Sequence, residues 1–142
     1  MAIYSMADRS ALLTTANASF EVRTTASIRA NVLENGITIN AATASVYGLG
    51  RPAAIGVTPT SPKTGLAEDQ GGPTGSASTA VAWGTGPTVP ANFFRRVSLP
   101  ATIGAGIIWT FPRGIVVSVS NSLVDWNLTA VSAADMWFVW DE

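Results

Sequence analysis

The sequence predicts an all-β fold, a jelly-roll-like antiparallel β-sandwich with an extended N-terminal arm. Three observations carry that expectation. Short apolar runs with period-two alternation recur along the chain, and Pro, Gly, Asn or Ser closes each of them. No convincing helical periodicity competes with them. The run lengths and gaps are irregular and one connection is very long, which suits two packed sheets better than an up-and-down barrel.

Residues 1–18 are mostly small and polar, with Leu12-Leu13 as the only adjacent bulky apolar pair. They read as an arm, and residues 19–142 as one sandwich domain. Phe20 to Val32 reads as one or two strands, with Phe20 and Val22 on one face and Glu21 and Arg23 on the other. Asn35-Gly36 is a turn signal between two alternating runs, which predicts a hairpin over Val32 to Ile39. Ser45 to Leu49 is a further strand. From 56 to 79 the chain holds Pro59, Pro62, Gly65, Gly71, Gly72, Pro73 and Gly75, a density that sustains neither helix nor central strand. It reads as a long exposed loop. Ala80 to Trp83 is another short strand.

Five apolar runs from Phe93 to Trp140 form the expected core. Phe93, Val97 and Leu99 share a face with Arg95, against Phe94, Arg96 and Ser98. Ile107, Trp109 and Phe111 precede a turn at Pro112-Arg113-Gly114, and Ile115, Val117 and Val119 follow it. Asn121-Ser122 turns the chain into Leu123 to Leu128, and Met136, Phe138 and Trp140 close the series opposite Trp137 and Val139. Several of these strands are apolar on both faces. An isolated sandwich would be polar outside, so double-sided apolarity predicts subunits packed sheet to sheet.

Composition points the same way. Charged residues are only 12% of the 142 residues, about half the roughly 25% usual in a soluble domain, while hydrophobic residues reach 47% and mean hydropathy is +0.30. Depletion of charge is a mark of surfaces covered by other subunits, so a homo-oligomer is expected. Eight basic residues against nine acidic ones give a net charge of -1, without the basic excess that nucleic-acid binding needs. No apolar run approaches the length of a membrane span, and residues 1–9 lack the basic, then apolar, pattern of a signal peptide. A cytosolic, unprocessed product is expected.

The chain has no Cys and no His, which removes thiolate chemistry, the commonest general base and the commonest transition-metal ligands. Gly48-Leu49-Gly50-Arg51-Pro52-Ala53 matches the dinucleotide fingerprint, with Glu68 and Asp69 near the distance of a ribose contact. Gly56, Pro59 and Pro62 forbid the helix that this chemistry requires, so the match reads as the end of a strand. Glu68-Asp69 lacks the alternating carboxylates of a calcium loop. Asp125, Asp135, Asp141 and Glu142 offer carboxylates but no spacing that pairs them for glycoside hydrolysis, and Ser61-Pro62-Lys63 lacks the spacing of a Ser-x-x-Lys nucleophile. Neither an enzyme, nor a cofactor, nor a metal is expected. The candidate interface residues are Leu12 and Leu13 in the arm, Phe94, Arg95 and Arg96 beside one strand, and Trp126 and Trp137. Tryptophans on a surface also make sugar-stacking platforms.

The segment Ala42-Thr43-Ala44-Ser45-Val46-Tyr47-Gly48-Leu49-Gly50-Arg51-Pro52-Ala53-Ala54 resembles small virion structural proteins of tailed bacteriophages. So do Phe94-Arg95-Arg96-Val97-Ser98-Leu99-Pro100, Trp109-Thr110-Phe111-Pro112-Arg113-Gly114 and the closing Trp140-Asp141-Glu142. The chain is most similar to capsid decoration (cement) proteins. That resemblance implies a jelly roll, commonly trimeric, that binds the major capsid protein on the virion surface and stabilises the shell without catalysis. Head fibres and tail-tip proteins share the composition, and they imply the alternative of a carbohydrate- or receptor-binding domain.

Overall fold

A computed structural model describes residues 2–10, 17–129 and 133–142, and these residues form antiparallel strands without a helix. Eight longer strands build the molecule: β1 (Ile3–Arg9), β2 (Asn17–Arg23), β3 (Ala30–Ile39), β4 (Ser45–Gly50), β10 (Arg95–Leu99), β11 (Gly106–Val117), β12 (Ser122–Asn127) and β13 (Ala134–Asp141). Between β4 and β10 lie five short ones: β5 (Val57–Pro59), β6 (Lys63–Thr64), β7 (Leu66–Ala67), β8 (Ser78–Ala80) and β9 (Trp83–Thr85). One sheet has the order β11-β3-β13-β1-β7, the other β10-β4-β12-β2-β8-β6, and β5 and β9 make a separate ribbon.

The pairing follows a simple rule. β1 pairs with β13, β2 with β12, β3 with β11 and β4 with β10, so the chain is a long antiparallel ribbon doubled back at residues 51–94. Lateral pairing of β13 with β3 and of β12 with β4 rolls that ribbon into two facing sheets.

Alternation along each strand then fills the space between the sheets. Phe20, Val22, Tyr47, Leu49 and Leu123 point in from one side. Tyr4, Val32, Ile37, Ile39, Met136, Phe138 and Trp140 point in from the other. Phe20 stacks on Phe138 with ring centroids 5.3 Å apart, and Tyr4 on Trp140 at 6.2 Å. Such offset ring pairs add to the burial that drives the sheets together.

Four sequence expectations are corrected. Residues 3–9 of the expected arm are β1, whose Tyr4 and Met6 reach the core while Ser5 and Ala7 face out. Asn35-Gly36 is no turn, because β3 runs unbroken through it. The ring of Trp137 crosses Gly36 so closely that a Cβ there would lie 1.9 Å from it. Glycine at this position serves ring contact rather than chain reversal.

Pro112-Arg113-Gly114 likewise lies inside a single strand. From Thr110 to Ile115 β11 advances five residues while its partner β3 advances two, Glu34 to Val32, so the extra residues bulge from an edge strand. Gly114 has φ +67° and its missing Cβ leaves room for the Asn31 side chain. Finally, the expected loop over 56–79 contains short strands that extend both sheets: β7 pairs with β1, β8 with β2, and β6 with β8.

Candidate interaction surface

The outer faces of the two sheets differ. On the six-stranded sheet, Ala18, Val124 and Trp126 are buried in a second apolar cluster with Trp83, Phe93 and Leu128 packed against them. The chain's own residues 83–93 roof that face. Gly48 and Gly50 make the roof possible, since a Cβ at Gly48 would meet the Phe93 ring at 2.7 Å, and one at Gly50 would meet Pro90 at 3.0 Å. The glycines of the fingerprint-like segment thus form a flat strip for Phe93, within β4. Glu21 anchors the roof from below. It is fully buried, accepts the indole N–H of Trp83 at 2.7 Å, and pairs with Arg23 at 3.0 Å, while Arg23 Nη2 donates to the Gly56 carbonyl at 2.6 Å. Burial pushes the Glu21 carboxyl up, and the Trp83 and Arg23 hydrogen bonds pull it back.

Among the described residues no such roof covers the five-stranded sheet. Its outward side chains form cross-strand rows set by the register. One row holds Ala7, Trp137, Gly36 and Ile108, and the next holds Leu66, Ser5, Val139, Glu34 and Thr110. Ile108 is 56% exposed and Leu66 66%, with Ile3 and Val116 also exposed. Trp137 is half-buried and donates its indole N–H to Glu34 Oε1 at 2.8 Å, which holds the ring across Gly36. At the end of the sheet Arg9 and Asp135 pair at 2.7 Å, and that guanidinium lowers the Asp135 carboxyl below the usual range. The face between is mostly apolar, with Glu34 the one charged residue in these two rows.

The sequence candidates separate on this geometry. Trp137 belongs to the open face. Trp126, expected at an interface, is fully buried beneath its own chain, so its apolar outer face needs no second subunit. Phe94, Arg95 and Arg96 are exposed at the β10 edge, where Arg95 lies 5.8 Å from the Phe111 ring centroid and Arg96 5.6 Å from that of Phe93. Leu12 and Leu13 lie outside the described residues. Sequence reasoning missed Ile108 and Leu66. The alternation around Ile107 and Trp109 could have found Ile108, but a two-residue strand such as β7 leaves no periodic signal.

The carboxylates considered for catalysis are dispersed. Asp125 is buried between the sheets, where Asn35 Nδ2 donates to its Oδ2 at 2.7 Å. Asp135 and Asp141 stand near opposite ends of β13. Glu142 accepts the backbone N–H groups of Ser76 and Ala77, both at 2.8 Å, and the indole N–H of Trp140 at 3.0 Å. Among the described residues no three His, Cys, Asp or Glu side chains are grouped to hold a metal ion. No protein-family model, curated protein or solved structure matches the chain.

Proposed function

We propose that the chain is a non-enzymatic structural protein of a tailed-phage virion, a capsid decoration (cement) protein. In this reading it is made in the host cytoplasm, self-associates, and seats on the major capsid protein to stabilise the shell. Neither nucleic acid nor membrane takes part. One observation carries it: of two sheets in one molecule, the chain roofs one and leaves the other's apolar, charge-poor face open. An open face of that kind marks a protein contact. The strand order β1-β13-β3-β11 facing β2-β12-β4-β10 supports the jelly roll that goes with this class of protein.

The test is co-sedimentation of the purified protein with capsids of its virion that lack it, followed by the melting temperature of the shell. Binding that raises the melting temperature, and that weakens with Trp137→Ala or Ile108→Asp, supports the reading. Absence of binding sinks it.

Trp137 also favours a second reading. An indole held across Gly36 beside Glu34 is a ring face with a hydrogen-bonding carboxylate next to it, the arrangement of a sugar-stacking platform on a fibre or tail tip. Quenching or a shift of tryptophan fluorescence by added glycans, lost in Trp137→Ala, would select it over the capsid partner.

A further inference from the structure

Seven of the 17 charged residues gather by sign at two opposite edges, four basic at one and three acidic at the other. At one edge β10 and β11 end their respective sheets. There Arg95, Arg96, Arg113 and Arg51 are exposed, four of the eight basic residues in the sequence. None forms an ion pair among the described residues. Three of them rest instead on rings and carbonyls: Arg51 lies 4.9 Å from the Phe94 centroid and donates to the Val116 carbonyl at 3.0 Å, Arg95 faces the Phe111 ring and donates to the Phe94 carbonyl at 2.8 Å, and Arg96 faces the Phe93 ring. Between the two strand edges opens a cleft of ≈ 430 Å³, with Phe94, Phe111 and Ile115 as apolar lining and Arg95 and Arg113 beside them.

The other edge is acidic. β7 ends the five-stranded sheet beside β1, and there a cleft of ≈ 560 Å³ is lined by Ile3, Tyr4, Pro73, Glu68, Asp69 and Glu142. Among the described residues no Lys or Arg lines it. The nearby Lys63 is already paired with Asp8 at 2.7 Å. Glu142 is fixed by its three N–H donors and so is presented in place. Five strands at about 4.8 Å spacing put the two edges ~20 Å apart across the sheet.

Like edges repel, because basic edge against basic edge would oppose arginines without counter-charge. Opposite edges complement each other in both charge and apolar lining. We infer that the β10/β11 edge of one copy seats the acidic β1/β7 edge of a second copy, head to tail. Arginines without intramolecular carboxylates then find Glu68 and Asp69 of the neighbour, as bidentate partners where geometry allows. A head-to-tail contact closes into a ring or runs into a filament, and it leaves the open face of each copy free. The inference deepens the self-association in the reading above and does not depend on the capsid as partner.

The experiment is light scattering of the full chain across a dilution series at low and high salt. It is run on the wild type, on the double variant R95E/R113E and on the double variant E68R/D69R. All four positions are exposed, and circular dichroism checks that each variant folds. The single variants R113E and E68R serve if a double variant does not fold. The wild type is expected to assemble and to weaken with salt. Each variant alone is expected to raise the apparent dissociation constant by about a hundredfold, and the two variants mixed are expected to reassociate, since each restores the edge the other lost. Assembly that neither variant disturbs overturns the head-to-tail contact and leaves self-association standing through another surface. A wild type that stays monomeric at every concentration overturns both, and a monomer whose basic edge binds a free Glu/Asp-rich peptide assigns that edge to a different protein.

Discussion

Asn35 and Asp125 meet across the sandwich: the Asn35 amide on one sheet donates to the Asp125 carboxylate on the other at 2.7 Å, and both residues are fully buried. Asn35 also donates to the Trp137 carbonyl at 3.1 Å, so the pair ties three strands together. Among the described residues Asp125 Oδ1 and Asn35 Oδ1 have no hydrogen-bond partner. Burial therefore holds the Asp125 carboxyl well above its usual range, against the opposing pull of the Asn35 hydrogen bond.

The sign of the resulting pH dependence follows. A carboxyl whose folded pKa is raised binds its proton more tightly folded than unfolded. Stability from this site is complete below the unfolded value near ~4 and falls as pH rises towards the folded value. Glu21 acts in the same direction. Asp125→Asn is expected to raise the melting temperature at neutral and alkaline pH and to flatten its decline. Asp125→Ala, which leaves one Asn35 N–H without its acceptor, should cost about 1–3 kcal/mol at acid pH. Thermal melts across the pH range check both.

Arg9 and Asp135 supply the opposite sign. The Asp135 carboxyl is depressed, so its contribution is present above the unfolded value and is lost as pH falls through the folded one. Both side chains are largely exposed, and salt screens the pair. Asp135→Asn should therefore leave the melting temperature at neutral pH and high salt almost unchanged, and remove a small acid-side loss at low salt.

Two tryptophans give contrasting outcomes. Trp126→Ala empties a fully buried site beneath the roof and should cost about 3–5 kcal/mol in denaturant unfolding. Trp137→Ala removes a half-buried ring from an open face, so the loss should be smaller, on the order of 1 kcal/mol, while the proposed binding through that face should weaken. Equal costs for the two would contradict the assignment of one face as roofed and the other as open.

Gly36 and Trp137 should behave as one unit. Gly36→Ala places a methyl where the indole lies and is expected to cost about 1–3 kcal/mol by displacing it. In the Trp137→Ala background the same change should cost little. A double-mutant cycle by urea unfolding measures the coupling, and additive costs would mean that the ring does not depend on this glycine.

Much of the sandwich was legible because alternation is local. Ser45 to Leu49, Leu123 to Leu128 and the inward trio Met136, Phe138 and Trp140 all stand where period two puts them. The errors share one cause, a local signal used for a distant purpose. Asn35-Gly36 has turn chemistry, but Gly36 answers to Trp137 from the far end of the chain. Pro112-Arg113-Gly114 reads as a reversal, and an edge strand absorbs it as a bulge. Tyr4 and Met6 alternate with Ser5 and Ala7 plainly enough, yet β1 finds its long partner only in β13. Double-sided apolarity in β12 was a sound observation, but the cover over Trp126 comes from the same chain. Of the candidate surface, Trp137 was legible and the row that presents it was not, because rows depend on register between strands remote in sequence.

The doubled ribbon also governs the order in which the protein can be made. β1 leaves the ribosome before the other strands, but the strand that flanks it along its full length is β13, more than a hundred residues later. β2 waits similarly for β12, and β3 for β11. Only the turnback around residues 51–94 offers early, local closure. β4 can pair with β10 once the chain reaches Leu99, while β1 and β2 meet only the short β7 and β8 before β12 and β13 are made. Pairings this remote in sequence make for slow folding, and until β13 arrives one edge of β1 lacks its long partner.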